Sequence, residues 1–135
     1  MSLEKEKYPN VIIEFVEKLP KTPTMLATKT AECLCVVIPI EQNSLFYCVG
    51  LTSVVEAMAM AKPIISTRNP YYPIDIEKEG IGFYVDNEDG WVKAIEFIST
   101  HPKEASEMGK RARILAEEKY NIRLCASQLK NVFEK

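Results

Sequence analysis

The segment from Gly50 to Thr67 constrains the fold more tightly than any other part of this chain. It reads as a glycine turn, a helix start carrying Thr52, Ser53 and Glu56, a helix of small residues closing at Lys62-Pro63, and a short apolar strand, Ile64–Thr67. Proline disfavours helical backbone at the residue before it, so the helix must stop there. An apolar run at Leu34–Ile38 precedes the helix. Two strands joined through one helix imply parallel pairing with a right-handed crossover. The start of such a helix gathers unpaired backbone N–H groups and about half a positive charge, and it opens on the sheet edge where α/β folds bind ligands.

The same alternation extends along the chain. Val11–Val16 is β-branched and apolar, a first strand. Lys18–Thr24 carries two prolines and ends in hydroxyl residues, which suits a turn and a helix cap ahead of a short helix at Met25–Glu32. Leu34–Ile38 is a continuous apolar run of the kind a central strand carries when both its faces are covered. After Pro39 a long segment without periodicity runs to Gly50-Leu51, and loops of that length inside compact domains are commonly functional. Arg68–Pro73 is a loop rich in proline and tyrosine. Ile74–Glu79 reads as a helical turn stopped by Gly80, and Gly82–Val85 as a fourth strand.

The remainder is helical. One helix opens at Asp89-Gly90-Trp91, with Trp91, Ala94, Ile95 and Ile98 on one face. A second opens at His101-Pro102, proline being tolerated in a first turn, with Ala105, Met108, Ala112, Leu115 and Ala116 inward. Ile122–Glu134 forms a third, with Cys125, Leu129, Val132 and Phe133 in one stripe. The expected architecture is a single α/β domain over residues 1–135, a Rossmann-like three-layer fold with about four parallel strands and C-terminal helices. Four strands is few for a doubly wound domain, which implies that the chain is part of a larger one.

Composition limits the function classes. A hydrophobic fraction of 47% and a charged fraction of 27% describe a soluble globule, and a net charge of -2 gives no electrostatic case for nucleic acid or an anionic membrane as main partner. No apolar run approaches the roughly 18 residues that span a bilayer, and the charged opening Met1–Lys7 is unlike a signal peptide. The four cysteines include no CxxC pair and the one histidine is His101, so neither a metal site nor a catalytic triad is expected. Buried thiols in a reducing, cytoplasmic setting are the plain reading.

Thr52, Ser53 and Glu56 admit two interpretations. In one, both hydroxyls and the adjacent N–H groups hold a diphosphate, with Glu56 accepting hydrogen bonds from ribose. In the other, Ser53-Val54-Val55-Glu56 is a capping box whose carboxylate returns to the N–H of Ser53. Gly50 permits close approach of backbone to a ligand, and Ala57, Ala59 and Ala61 allow the helix to sit near the sheet. Arg68 follows a strand end within reach of a phosphate, or is an ordinary surface cation. Tyr71 and Tyr72 line a sugar pocket or pack over their loop. His101 reads as a solvated helix cap.

The string Glu56–Thr67 resembles the signature block of nucleotide-sugar-dependent glycosyltransferases of the GT-B fold, the family-4, group-1 class. Their "EAMA-x-x-KP-(V/I)-I" pattern covers the same helix and strand. The similarity continues through Ile76–Val85 and Asn87-Glu88-Asp89, and upstream Ala31–Pro39 is similar to the family's approach to its site. The resemblance implies the donor-binding part of the C-terminal domain of a retaining, usually metal-independent transferase with no cofactor. It implies a ribose contact at Glu56 and diphosphate contacts at Gly50, Leu51, Thr52 and Ser53, with a UDP-, GDP- or ADP-sugar as partner.

The sequence departs from the family in three respects. The upstream glutamate that reaches the donor sugar falls on Cys48, and Glu41 on the same loop is at the wrong spacing to replace it. The basic pair that grips the diphosphate has no counterpart. The acceptor-binding N-terminal domain is absent too, so no turnover is expected from this chain, and any peripheral membrane contact would come through a full-length protein. The alternative is a stand-alone α/β interaction module that has lost donor binding. A flavodoxin- or receiver-like domain ranks last, because no strand ends in an acidic cluster.

Overall fold

The computed structural model describes residues 22–41 and 51–135. The expected strand Val11–Val16 lies outside the described residues, as do Cys48 and Gly50. Within them the chain runs α1 (Pro23–Glu32), β1 (Val36–Ile38), α2 (Leu51–Ala59), β2 (Ile64–Thr67), β3 (Gly82–Val85), α3 (Glu88–Thr100), α4 (Pro102–Lys119) and α5 (Ile122–Phe133). The three strands form one parallel sheet in the order β1-β2-β3. The fold is therefore α/β, with β2 in the centre of the described sheet.

All four residues of β2 are buried, as fits a strand paired on both sides and covered on both faces. Successive side chains of a strand point to opposite faces. Ile64 accordingly joins one core cluster with Val54, Ala57 and Met58 of α2 and with Ala112 and Ala116 of α4. Ile65 joins another with Val85, with Ala94 and Ile98 of α3, and with Ala105 of α4. Helix α4 thus packs its first turns beside α3 and its later turns beside α2. Met58, Ile64, Ile65, Ile76 and Ile81 are fully buried, each contributing roughly 1.5–3 kcal/mol by leaving water.

β1 departs from the expectation of a central, doubly covered strand. It spans three residues, and in the described sheet it pairs with β2 alone. Val36 and Ile38 face the α2 cluster, whereas Val37 is 44% exposed. Among the described residues α3 packs chiefly on β3 and β2. An apolar run records that a strand is apolar; which helix covers it is decided by tertiary packing.

Two connections end in the same device. At the end of α2 the N–H groups of Ala61 and Lys62 donate to the carbonyls of Met58 and Ala57, with Ala61 at φ 55°. In the 75–81 turn those of Gly80 and Ile81 donate to Glu77 and Ile76, with Gly80 at φ 65°. Both are Schellman closures, and the second has buried Ile76 and Ile81 as its apolar contact. The expected helical turn stopped by Gly80 is present, started by Asp75, whose Oδ1 accepts from the N–H groups of Glu77 and Lys78 at 3.1 Å. Helix α4 then supplies a cation to each closure: Arg111 Nε donates to Gly80 O at 2.9 Å, and Arg113 Nη1 donates to Ala59 O. Positive charge at these carbonyls complements the negative end of each turn.

The helical faces follow the sequence with two exceptions. On α3, capped by Asn87, Ala94 and Ile98 are buried and Trp91 is half-buried, but Ile95 is 46% exposed because it sits toward the edge of the stripe. On α5 the apolar stripe exists but buries nothing among the described residues, and Ile122, Leu129, Val132 and Phe133 are all exposed.

Candidate functional site

The N-terminus of α2 is set by its inner face. Val54, Ala57 and Met58 are buried against the sheet, and Leu51 packs on the same cluster beside Tyr72 and Ile74. In a parallel sheet this places the start of α2 on the edge that carries the C-terminal ends of the strands. The helix is already formed at Leu51, the first described residue of this segment. Thr52 and Glu56 are exposed and Ser53 is half-buried. These three residues therefore present two hydroxyls and one carboxylate along a single helix.

The same helix start disposes of the capping box. Ser53 lies inside the helix, whereas a capping residue lies before it, so Ser53 and Glu56 are not a reciprocal cap. Glu56 is one turn further into α2 and takes no part in closing its N-terminus. The small-residue reading divides: Ala57 is packed against the core, while Ala61 is exposed and serves as the left-handed closure.

The second concentration of polar chemistry is at the C-terminal end of β2. Ser66 Oγ is fully buried, lies 2.9 Å from Tyr72 Oη, and has the carbonyls of Thr67 at 2.8 Å and Ile38 at 3.3 Å as acceptors. Thr67 Oγ1 accepts from the N–H of Ile40 at 3.0 Å. These bonds tie the ends of β1 and β2 to the loop that follows. Asn69, 3% exposed, accepts from the N–H of Tyr71 at 2.9 Å and turns the chain. The result is a cleft of about 340 Å³ lined by Arg68, Asn69, Pro70, Tyr72, Pro73, Ile74, Asp75 and Tyr84.

Arg68 is the cation of this cleft, and Asp75 is its carboxylate. Its guanidinium lies 4.7 Å from the centre of the Tyr84 ring, with carboxylates of Glu77 at 3.6 Å and Asp86 at 4.0 Å. Glu77 is itself fixed, because its Oε1 accepts from the N–H of Tyr84 at 3.0 Å. Tyr84 Oη accepts from the N–H of Ile76 at 3.3 Å. Burial raises the Tyr84 hydroxyl above the usual tyrosine range, against the opposing hydrogen bond from Ile76. Burial raises Tyr72 likewise, opposed by its bonds to Ser66 and Asn69. Both hydroxyls are neutral donors near neutral pH.

Of the residues expected to matter here, Arg68 and Tyr72 line the cleft, and Tyr71 points outward, 65% exposed. Asn69, Asp75 and Tyr84 were not foreseen. Their signal lay in Asn69-Pro70 and Asp75, both turn-forming carboxamide or carboxylate positions. His101 is the exposed N-cap of α4, as expected, but its side chain makes no cap hydrogen bond: its Nδ1 lies 2.9 Å from Thr100 Oγ1 and 3.1 Å from Phe97 O, and its ring stacks on Phe97 at 4.4 Å. The thiols also differ from expectation, since Cys33 and Cys125 are exposed and only Cys35 is partly covered. Burial, and then proximity to Cys33, raises the Cys35 thiol above its ordinary value.

Among the described residues no three His, Cys, Asp or Glu side chains are grouped to hold a metal ion, and no helix is long and apolar enough to cross a membrane. Comparison with protein-family models, with curated proteins and with solved structures returns no match to this chain.

Proposed function

We propose that this chain is the donor-binding portion of a GT-B glycosyltransferase, part of a Rossmann-like domain in which β1, β2 and β3 are three of about four parallel strands. The first turn of α2 binds the diphosphate of a UDP-, GDP- or ADP-sugar through the N–H groups of Leu51, Thr52 and Ser53, and Glu56 accepts hydrogen bonds from ribose. The observation that carries this reading is the placement of α2: its N-terminal part lies on the ligand edge of a parallel sheet, with the hydroxyl of Thr52 exposed and the exposed Glu56 carboxylate one turn further on. The glycosyl-transfer step needs an acceptor domain to close over the donor, exclude water and align the nucleophile.

The test is a 15N-HSQC titration of the chain with UDP, GDP and ADP, repeated on Glu56→Ala. Saturable shifts at the amides of Leu51, Thr52 and Ser53, weakened about tenfold in the variant, are expected for the loss of one charge-assisted hydrogen bond. Absence of shifts with every nucleotide at millimolar concentration removes donor binding from this chain. The alternative is then an α/β interaction module, a reading favoured by the wholly exposed apolar stripe of α5.

A further inference from the structure

The geometry points to the cleft at the end of β2 as a binding site for a neutral, polyhydroxylated ring, a monosaccharide unit, separate from the phosphate-binding start of α2. Its size is the first argument. At about 340 Å³ it lies at the small end of ligand pockets, which run from roughly 300 to 1,000 Å³, a size that suits one pyranose.

Charge is the second argument. The lining of the cleft carries one guanidinium, Arg68, and one carboxylate, Asp75. Opposite charges in equal number favour an uncharged ligand whose hydroxyls donate as well as accept over a phosphate. The hydrogen-bonding inventory fits such a ligand. The ion pairs of Arg68 are longer than hydrogen bonds, so among the described residues its N–H groups have no close acceptor. Asp75 uses Oδ1 to start its turn, which leaves Oδ2 for a ligand hydroxyl. Tyr84 Oη accepts from Ile76 and keeps its own proton to donate. Between these groups Pro70, Pro73, Ile74 and the tyrosine rings supply an apolar wall for the C–H face of a sugar.

The residues are also held in place before a ligand arrives. Arg68 is fixed by the Tyr84 ring and Glu77, Tyr72 by Ser66, and Asp75 by the two amides it caps. Preorganisation of this kind lowers the ordering cost of binding.

The experiment is an HSQC titration of the full chain with the methyl glycosides of glucose, galactose, mannose and N-acetylglucosamine, with inorganic phosphate and UMP run in parallel. Saturable shifts at Asn69, Tyr72, Asp75 and Tyr84 with at least one glycoside are expected, weakened about tenfold by Asp75→Asn and by Tyr84→Phe. Asparagine still caps the turn and phenylalanine keeps the ring, so both variants should retain the apo spectrum elsewhere. Shifts at these amides with phosphate rather than glycosides, shifts unaffected by both substitutions, or no shift with any glycoside at tens of millimolar would each overturn the assignment. Nucleotide binding is read at Leu51, Thr52 and Ser53, so its failure is distinguishable from failure of the sugar site.

Discussion

Replacing Gly109 by alanine gives a sign test of how α4 meets α2. Gly109 is a buried residue inside an 18-residue helix. In an unconstrained helix interior, glycine to alanine stabilises by about 1 kcal/mol, because alanine gives up less backbone freedom on folding. Here a Cβ at Gly109 would stand 2.0 Å from Ala61 O, against the 3.4 Å or more of ordinary contact. The obstacle is a backbone carbonyl in a left-handed closure, so it has no rotamer with which to yield. The cost therefore belongs at the upper end of overpacking, about 3 kcal/mol. Subtracting the propensity gain leaves Gly109→Ala destabilised by about 2 kcal/mol, or roughly 5–10 °C in Tm for a domain of this size. Urea unfolding followed by the fluorescence of Trp91 reads this directly, with a lower midpoint at unchanged slope. A midpoint equal to or above that of the parent would refute the close approach of the two helices.

The same contact supports the opposite result one residue away in space. Ala61→Gly removes a β-carbon from a left-handed position, and after the entropy loss of glycine it should stabilise the chain by about 0.5–1 kcal/mol in the same urea assay. The buried tyrosines set a pH dependence. Tyr72 and Tyr84 have folded pKa values raised above the reference value of 10.0, so their contribution is fully present below pH 10.0 and is lost as pH rises through the folded values. Thermal melts across the alkaline range should fall less steeply for Tyr84→Phe than for the parent, and identical slopes would contradict the burial of that hydroxyl.

The positions of α2, β2, β3, α3 and α4 were legible because each is punctuated locally. Pro63 closes α2, Gly80 closes the turn before β3, Asn87 caps α3, and Pro102 opens α4. What escaped the sequence depended on contacts between distant residues. Val37 reads as core but is 44% exposed, and the α5 stripe reads as core but faces outward. Ser53 and Glu56 match a capping box in spacing, yet the helix starts too early for Ser53 to cap it. The cleft was half visible: Arg68 and Tyr72 stood out as side chains, whereas Asp75 and Tyr84 join them only because a Schellman closure returns the chain alongside β2.

The two arginines of α4 give the domain a particular order of assembly. Arg111 reaches a carbonyl 31 residues earlier in the chain, and Arg113 one 54 residues earlier. The carbonyls they cap belong to the closures from which β3 and β2 emerge, so the strands are made on the ribosome well before the cations that secure their entry points. Until α4 has been synthesised and docked, the far ends of those strands, where the cleft and the α2 start are built, lack their final anchor. The cleft at the end of β2 therefore gains its final anchor late in the folding of this chain, and a product terminated between α3 and α4 would carry every residue of its lining without the element that secures the strands.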